Sequence, residues 1–232
     1  MATYVMSDIH GSYNQYIQAL QSINLQDEDT LYILGDVLDR GTGSFKIILD
    51  MMYRFNVIPL LGNHEFMAIS VLSKLVQEIT EDTIGGFNQD FITGMLTWFD
   101  NGGASTVEEL KKLSSDDRQA VLEYLGEFEL YAEITVNGKE YVLVHAGLDN
   151  FDPSRKLSDY QLYELIWAKT DYEKVYYTDK ILITGHIPVQ NITGGKSNQI
   201  YKKNHHIAID CGCGFGGKLG VLCLDTMEEM YF

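Results

Sequence analysis

Short apolar runs rich in Val, Ile and Leu recur along the chain, each ending in a small polar cluster: Tyr4–Met6, Leu31–Leu34, Val57–Leu61, Tyr141–Val144 and Ile181–Thr184. Runs this short, bounded by Gly, Asp or Asn, predict buried strands rather than helices. Between the first two, residues 12–23 carry Tyr13, Tyr16, Ile17 and Leu20 at helical spacing, with Ser12 and Gln15 spaced as a capping box. Ser44 is placed to cap a second helix over residues 45–53. The N-terminal part therefore reads β-α-β-α-β, a parallel sheet with right-handed crossovers.

From Glu65 to about Leu130 the strand-like runs vanish and helix formers dominate, as in residues 107–113 and 116–125. A helical insertion or cap is expected over about 66–130, broken by the loop Asn101–Gly103. Residues 133–144 then read as a hairpin, because Asn137-Gly138 supplies the positive φ angles of a type I′ turn. Residues 206–209 and 219–224 add further strands. With no repeat, low-complexity tract or linker, the expectation is one α/β domain over residues 1–232, with the helical insert.

Composition narrows the function classes. At 45% apolar and 22% charged residues, the 232-residue chain can bury a sizeable core and is too apolar for disorder. Its 33 acidic and 17 basic side chains leave a formal charge of −16. That charge argues against binding a nucleic-acid backbone, which calls for a basic stripe, and against docking on an anionic membrane surface, so neither is an expected partner. No apolar stretch approaches the roughly 18–20 residues of a membrane-spanning helix. Three cysteines, Cys211, Cys213 and Cys223, form no disulfide framework and no zinc clamp. The first ten residues lack a charged leader with a long apolar run, so a reduced cytoplasmic setting is expected.

The chemistry lies at the strand ends. Asp8 and His10 follow the first apolar run; Asp36, Asp39 and Arg40 follow the second. Asn63, His64 and Glu65 follow the third, His145 the hairpin strand, and His186 a later one. In an open parallel sheet the carboxyl ends of strands meet along one edge, where ligands bind. Singly, an Asp-x-His is a strand-end turn and an Asp-x-x-Asp-Arg a solvated salt bridge. Five strand ends each carrying a potential ligand are not explained that way. Asp, Asn and His without thiolate suit a divalent ion such as manganese, iron or zinc.

Ser7-Asp-Ile-His-Gly11, Gly35-Asp-Val-Leu-Asp-Arg-Gly41 and Gly62-Asn-His-Glu65 resemble the three signature blocks of the PPP-type phosphoprotein phosphatases. Their spacing is similar too, with 28 residues from Asp8 to Asp36 and 28 more to His64. His145-Ala-Gly147, Gly185-His186 and the stretch Asp210–Leu219 are similar to the family's later blocks, so the resemblance covers nearly the whole chain. The length and insert look most like the bacterial and phage branch, which also includes symmetrical dinucleoside tetraphosphatases. The resemblance implies a calcineurin-like metallophosphoesterase sandwich of two mixed β-sheets flanked by helices. It also implies two divalent metal ions, with manganese the leading choice. Asp8, His10 and Asp36 would hold one ion; Asp36, Asn63, His145 and His186 would hold the other, with Asp36 bridging. Arg40 and Asn63 would bind the substrate phosphate, and His64, oriented by Asp39, would protonate the leaving group. Such a centre attacks phosphorus directly with a hydroxide bridging the ions, so no phosphoenzyme is needed. The expected activity is hydrolysis of phosphoserine and phosphothreonine monoesters in a phosphoprotein or a small phosphorylated substrate. The alternative is a dinucleoside polyphosphate or a phosphodiester.

The chain departs from the family at one point. Leu165–Thr170 carries Lys169 where a second phosphate-binding arginine is common, and Arg155 is the other candidate for that role. Lysine is a point charge without the guanidinium fork. The glycines 212, 214, 216 and 217 have a dinucleotide-fingerprint look but open no helix, and Gly194–Ser197 lacks the earlier glycine of a P-loop. Cys211 and Cys213 read as small packing residues, and Glu65 as a supporting or capping residue. Of His205 and His206, adjacent and so on opposite faces of a strand, neither is assigned.

Overall fold

The computed structural model describes residues 1–77 and 85–232. Two five-stranded mixed sheets pack face to face. The first has the order β10-β9-β1-β2-β3, built from β1 (Thr3–Met6), β2 (Thr30–Ile33), β3 (Val57–Pro59), β9 (Gly220–Cys223) and β10 (Glu229–Tyr231). The second runs β4-β5-β6-β8-β7, from β4 (Tyr131–Val136), β5 (Lys139–Val144), β6 (Lys180–Thr184), β7 (Tyr201–Lys203) and β8 (His206–Ala208). β1 pairs parallel with β2 from Thr3 opposite Thr30, and β2 pairs parallel with β3, as the N-terminal pattern predicts.

The apolar runs are continuous because these strands are covered on both faces. Successive side chains point to opposite sides. In β1, Val5 enters the layer between the sheets while Met6 meets the helices outside. In the next strand Leu31 and Ile33 face outward and Leu34, just beyond its end, faces inward. Tyr141 and Leu143 of β5 join the inner layer, whereas Val142 and Val144 face a third cluster with Leu148, Leu157 and Leu165. Each fully buried Leu, Ile or Val contributes roughly 1.5–3 kcal/mol, so the three clusters hold the sandwich together. Asn137 and Gly138 have φ of 50° and 76°, as the predicted type I′ turn requires.

Outside the first sheet lie α1 (Tyr13–Ile23) and α2 (Ser44–Met52), then α3 (Asn63–Leu75), α4 (Gln89–Asp100), α5 (Ala104–Leu110) and α6 (Ser115–Leu125). α3 begins just before the predicted insertion and runs into it, and α4 to α6 lie within it; residues 78–84 of the insertion lie outside the described residues. A short α7 (Leu162–Ile166) covers the second sheet. No described helix is long and apolar enough to cross a membrane.

Two local expectations are corrected. Ser12 makes no capping hydrogen bond; Gln15 instead donates its amide to the carbonyls of Gly217 and Phe232, at 3.1 and 3.0 Å, fastening the C-terminus. Ser44 is the first residue of α2 rather than its cap, and its N–H and that of Phe45 donate to the Glu109 carboxylate on the insertion. A charged acceptor with two oxygens serves two helix N–H groups, which one hydroxyl cannot do. The edge strands β7 and β10 were not predicted, because each has three residues and no apolar run.

Candidate active site

The strand ends converge, but from both sheets rather than along one parallel edge. The first sheet supplies the loops after β1 and β2 and the start of α3; the second supplies His145 after β5 and His186 after β6. Backbone contacts lock the two sheets together here. His145 Nδ1 donates to the Leu34 carbonyl at 2.6 Å, and the His186 N–H donates to both Asp8 carboxylate oxygens at 3.1 and 3.0 Å. Asp8, His10, Asp36, Asp39, Asn63, His64 and His145 are buried, and His186 is half-buried.

Asp36 is the centre of the arrangement. One carboxylate oxygen lies 3.4 Å from His145 Nε2, and the other lies 3.7 Å from His10 Nε2 and 3.9 Å from His64 Nε2. Two groups result that could each hold a metal ion: His10, Asp36 and His64, and Asp36, His145 and His186. Asn63 Oδ1 stands 2.9 Å from His145 Nε2, beside the second group. Asp8 is not in the first group; its carboxylate accepts the Ser7 hydroxyl at 2.5 Å and the His186 N–H.

The chemistry of these donors fits a divalent cation. His10 and His145 each direct Nδ1 at a backbone carbonyl, so the unprotonated Nε2 of each faces the centre. Burial lowers the pKa of His10 to about 3 and of His186 to about 4, and lowers that of His145, leaving neutral imidazoles. Burial also favours protonation of the carboxylates. For Asp8 the nearby charges of Asp210 and Asp36 add to it, and its carboxyl is raised well above the usual range. Burial acts on Asp36 in the same direction, but the histidines around it, with His64 the one whose charge is favoured, outweigh this and hold its carboxyl low. Converging carboxylates and bare ring nitrogens form an electrostatic well for a cation.

His64 differs from the other imidazoles. Its Nδ1 donates to Asp39 Oδ2 at 2.6 Å. Burial alone would depress its pKa, but Asp36 and the hydrogen bond and charge of Asp39 overcome this and raise it. Arg40 spreads its fork between His10 Nε2, 2.7 Å from Nη1, and His64 Nε2, 3.2 Å from Nη2.

Asp39 has three further ties that sequence reasoning missed, all to the insertion. Trp98 Nε1 donates to Oδ2 at 2.7 Å, Thr106 Oγ1 donates to Oδ1 at 2.5 Å, and the Asp39 N–H donates to Thr106 at 3.1 Å. The Arg40 N–H donates to the Gly102 carbonyl in the loop between α4 and α5. Glu65 caps the turn after β2, accepting the N–H groups of Asp36, Val37 and Leu38. Desolvation, aided by Asp36, raises its carboxyl to about 7. Gly62 is required beside it, since a Cβ there would stand 2.5 Å from the Asp36 nitrogen. Asp210, just after β8, is a further buried carboxylate whose pKa burial raises to about 7. The strand-end rule itself would have found it.

Six non-glycine residues of the site, Asp8, His10, Asp36, Asp39, Arg40 and His186, have φ between 46° and 74°. Side chains there cost of order 1–3 kcal/mol each, and such strain clusters where geometry serves function. Of the two candidates for a second phosphate cation, Arg155 is committed elsewhere: it grips Glu164 through both Nη atoms and stacks on Tyr160. Lys169 is exposed. Cys211 and Cys213 are buried packing residues, as expected, and His206 is buried against Thr184 and belongs to neither histidine group.

Residues 1–211 match the family described as calcineurin-like phosphoesterase. Over 116 residues, 49% of the chain, the sequence is 31% identical to the symmetrical bis(5'-nucleosyl)-tetraphosphatase of Salmonella paratyphi A. That match takes in 41% of the relative, so the aligned stretch spans well under half its length. Among solved structures, one provisionally described as a diadenosine tetraphosphatase superposes with a TM-score of 0.67 at 16% identity, covering 100% of this chain and 92% of the other. A serine/threonine phosphatase from Saccharomyces cerevisiae, with similarity to human phosphatase PP5, gives 0.59 at 15% identity, over 97% and 73% of the two chains. At those identities the likeness is one of fold.

Proposed function

Because the chain belongs to the calcineurin-like phosphoesterase family, we propose that it hydrolyses phosphate esters or anhydrides at a two-metal centre organised by Asp36. The observation that carries this reading is the placement of the two Asp36 oxygens toward two separate histidine groups. His10 and Asp36, backed by Asp8, would hold one ion; Asp36, Asn63, His145 and His186 would hold the other. Manganese, iron and zinc all suit this oxygen and imidazole set. When bound, such ions supply Lewis acidity and a low pKa for water.

The remaining work falls to the protein's own groups. Arg40 binds phosphate oxygens through its fork, an always-charged donor pair already aimed at the ligand atoms. His64, its pKa raised, would carry a proton on Nε2 for the leaving oxygen once the Arg40 fork turns from that nitrogen to phosphate, while Asp39 fixes the ring through Nδ1. Burial keeps bulk water from screening these charges. The whole of residues 1–232, the insertion included, acts as one catalytic domain, because Trp98, Thr106 and Gly102 brace Asp39 and Arg40.

Trp98→Phe tests that bracing. It keeps the ring packing and removes one hydrogen bond to Asp39, and turnover is expected to fall about 10- to 100-fold with both metals retained. Unchanged turnover would reduce the insertion to packing.

Dinucleoside polyphosphates are the substrates best supported, since the sequence relative at 31% identity carries that activity in its name. The phosphoserine and phosphothreonine reading keeps one support. Arg40 is the guanidinium that reaches the histidine nitrogens, and a single fork suits a monoester better than a chain of phosphates. Purified protein with manganese, offered a diadenosine polyphosphate, a phosphoserine peptide and aryl mono- and diesters, separates them through kcat/KM. A wide preference for the peptide would put the phosphomonoester first and the dinucleotide second.

A further inference from the structure

Beside Arg40 stands an aromatic ring that the chemistry above does not use. Phe215 ends a one-turn 3-10 helix, Cys213–Phe215, flanked by Gly212 and Gly216 at φ of 82° and 79°. Hydrogen bonds from the Phe215 and Gly217 N–H groups to the Gly212 carbonyl close the turn, and buried Cys213 anchors it. The turn lies directly against the site, since a Cβ on Gly214 would stand 2.9 Å from Arg40 Nη1 and collide with the His10 ring. The absence of a side chain at Gly214 is what lets the turn approach so closely.

The ring is nevertheless 65% exposed and belongs to none of the described apolar clusters. Its partner is the Arg40 guanidinium, 4.2 Å from the ring centroid. One ring face thus supports the phosphate-binding fork, and the rest is open to solvent. The turn thus holds a phenyl group one guanidinium away from the ligand nitrogens. Covering its open face with a flat apolar surface is favourable, by area removed from water and by ring stacking.

We infer that Phe215 is a specificity-determining residue whose open face stacks the nucleobase of a nucleotide substrate while Arg40, on the covered face, binds its phosphate. This rests on the reading of the centre as a phosphohydrolase and names its substrate class as nucleotidic. Stacking of a base on an aromatic side chain is sequence-tolerant, because every base offers a π-face. The ring therefore selects for a nucleoside without selecting which one. A phosphoserine side chain offers no such surface.

The test separates the ring's two faces. Binding of adenosine α,β-methylene diphosphate and of bare methylenediphosphonate, which share a non-hydrolysable P–C–P unit, is measured by calorimetry on manganese-loaded full-length protein. The wild type is expected to favour the nucleoside-bearing probe by about 5- to 150-fold. Phe215→Ala and Phe215→Leu should erase that ratio, and Phe215→Trp should keep it; an exposed position makes all three variants compatible with folding. A wild-type ratio near one, or a ratio that survives in Phe215→Ala, overturns the proposal. So does an equal weakening of both probes, which would mean that the ring acts only by positioning Arg40. Those results leave the phosphohydrolase reading intact. Binding of neither probe to protein carrying both metals would instead remove that reading, and this proposal with it.

Discussion

Asp36→Asn is expected to lower turnover by on the order of 10³-fold or more, the scale of losing several kcal/mol of charge stabilisation in the transition state. The substitution keeps the size of the side chain and an oxygen for the His64 N–H, which Asp36 Oδ1 now accepts. What it removes is the negative charge and the acceptor facing one of the two histidine groups. Metal analysis should then find fewer than two ions per chain, and the rise in thermal stability that metal confers on the wild type should shrink. Retention of two ions in this variant would contradict the bridging role of Asp36.

His64→Asn should give a different signature, with both ions retained and kcat reduced about 10²- to 10⁴-fold on substrates with basic leaving groups. The loss should grow with the basicity of the leaving oxygen. It should be small for p-nitrophenyl phosphate and largest for an alkyl monoester such as phosphoserine. The pH dependence gives a second check. An acid must be protonated to act, and the His64 pKa is raised above its ordinary 6.5. Wild-type kcat should therefore fall as pH rises through that raised value. In His64→Asn the alkaline fall should vanish, and an equal loss on all esters with an unchanged profile would remove His64 as the acid.

Much of this was legible in the sequence. Strands buried on both faces have unbroken apolar runs, and the polar residue that stops each run is the one delivered to the site. Asp8, His10, Asp36, Asp39, Asn63, His64, His145 and His186 all follow such runs, and the fold brings them together around Asp36. Contacts between distant parts of the chain were not legible. Trp98 and Thr106 lie 59 and 67 residues from Asp39, and each reads as ordinary helix content. Ser12 and Gln15 have capping spacing, yet Gln15 is drawn to a C-terminus more than two hundred residues away. Nor does spacing reveal that Arg155 is committed to Glu164, which took one candidate phosphate-binding cation out of consideration.

The indole of Trp98 is fully buried and donates to the same carboxylate oxygen that accepts His64 Nδ1. The chain has two tryptophans, and the other, Trp167, is half-buried and stacked on Tyr163. In a Trp167→Phe background the tryptophan emission of the protein would therefore come from a chromophore wired to the acid–base pair. Protonation of that pair, or release of the insertion from the sandwich, becomes an optical signal that needs no label and no substrate.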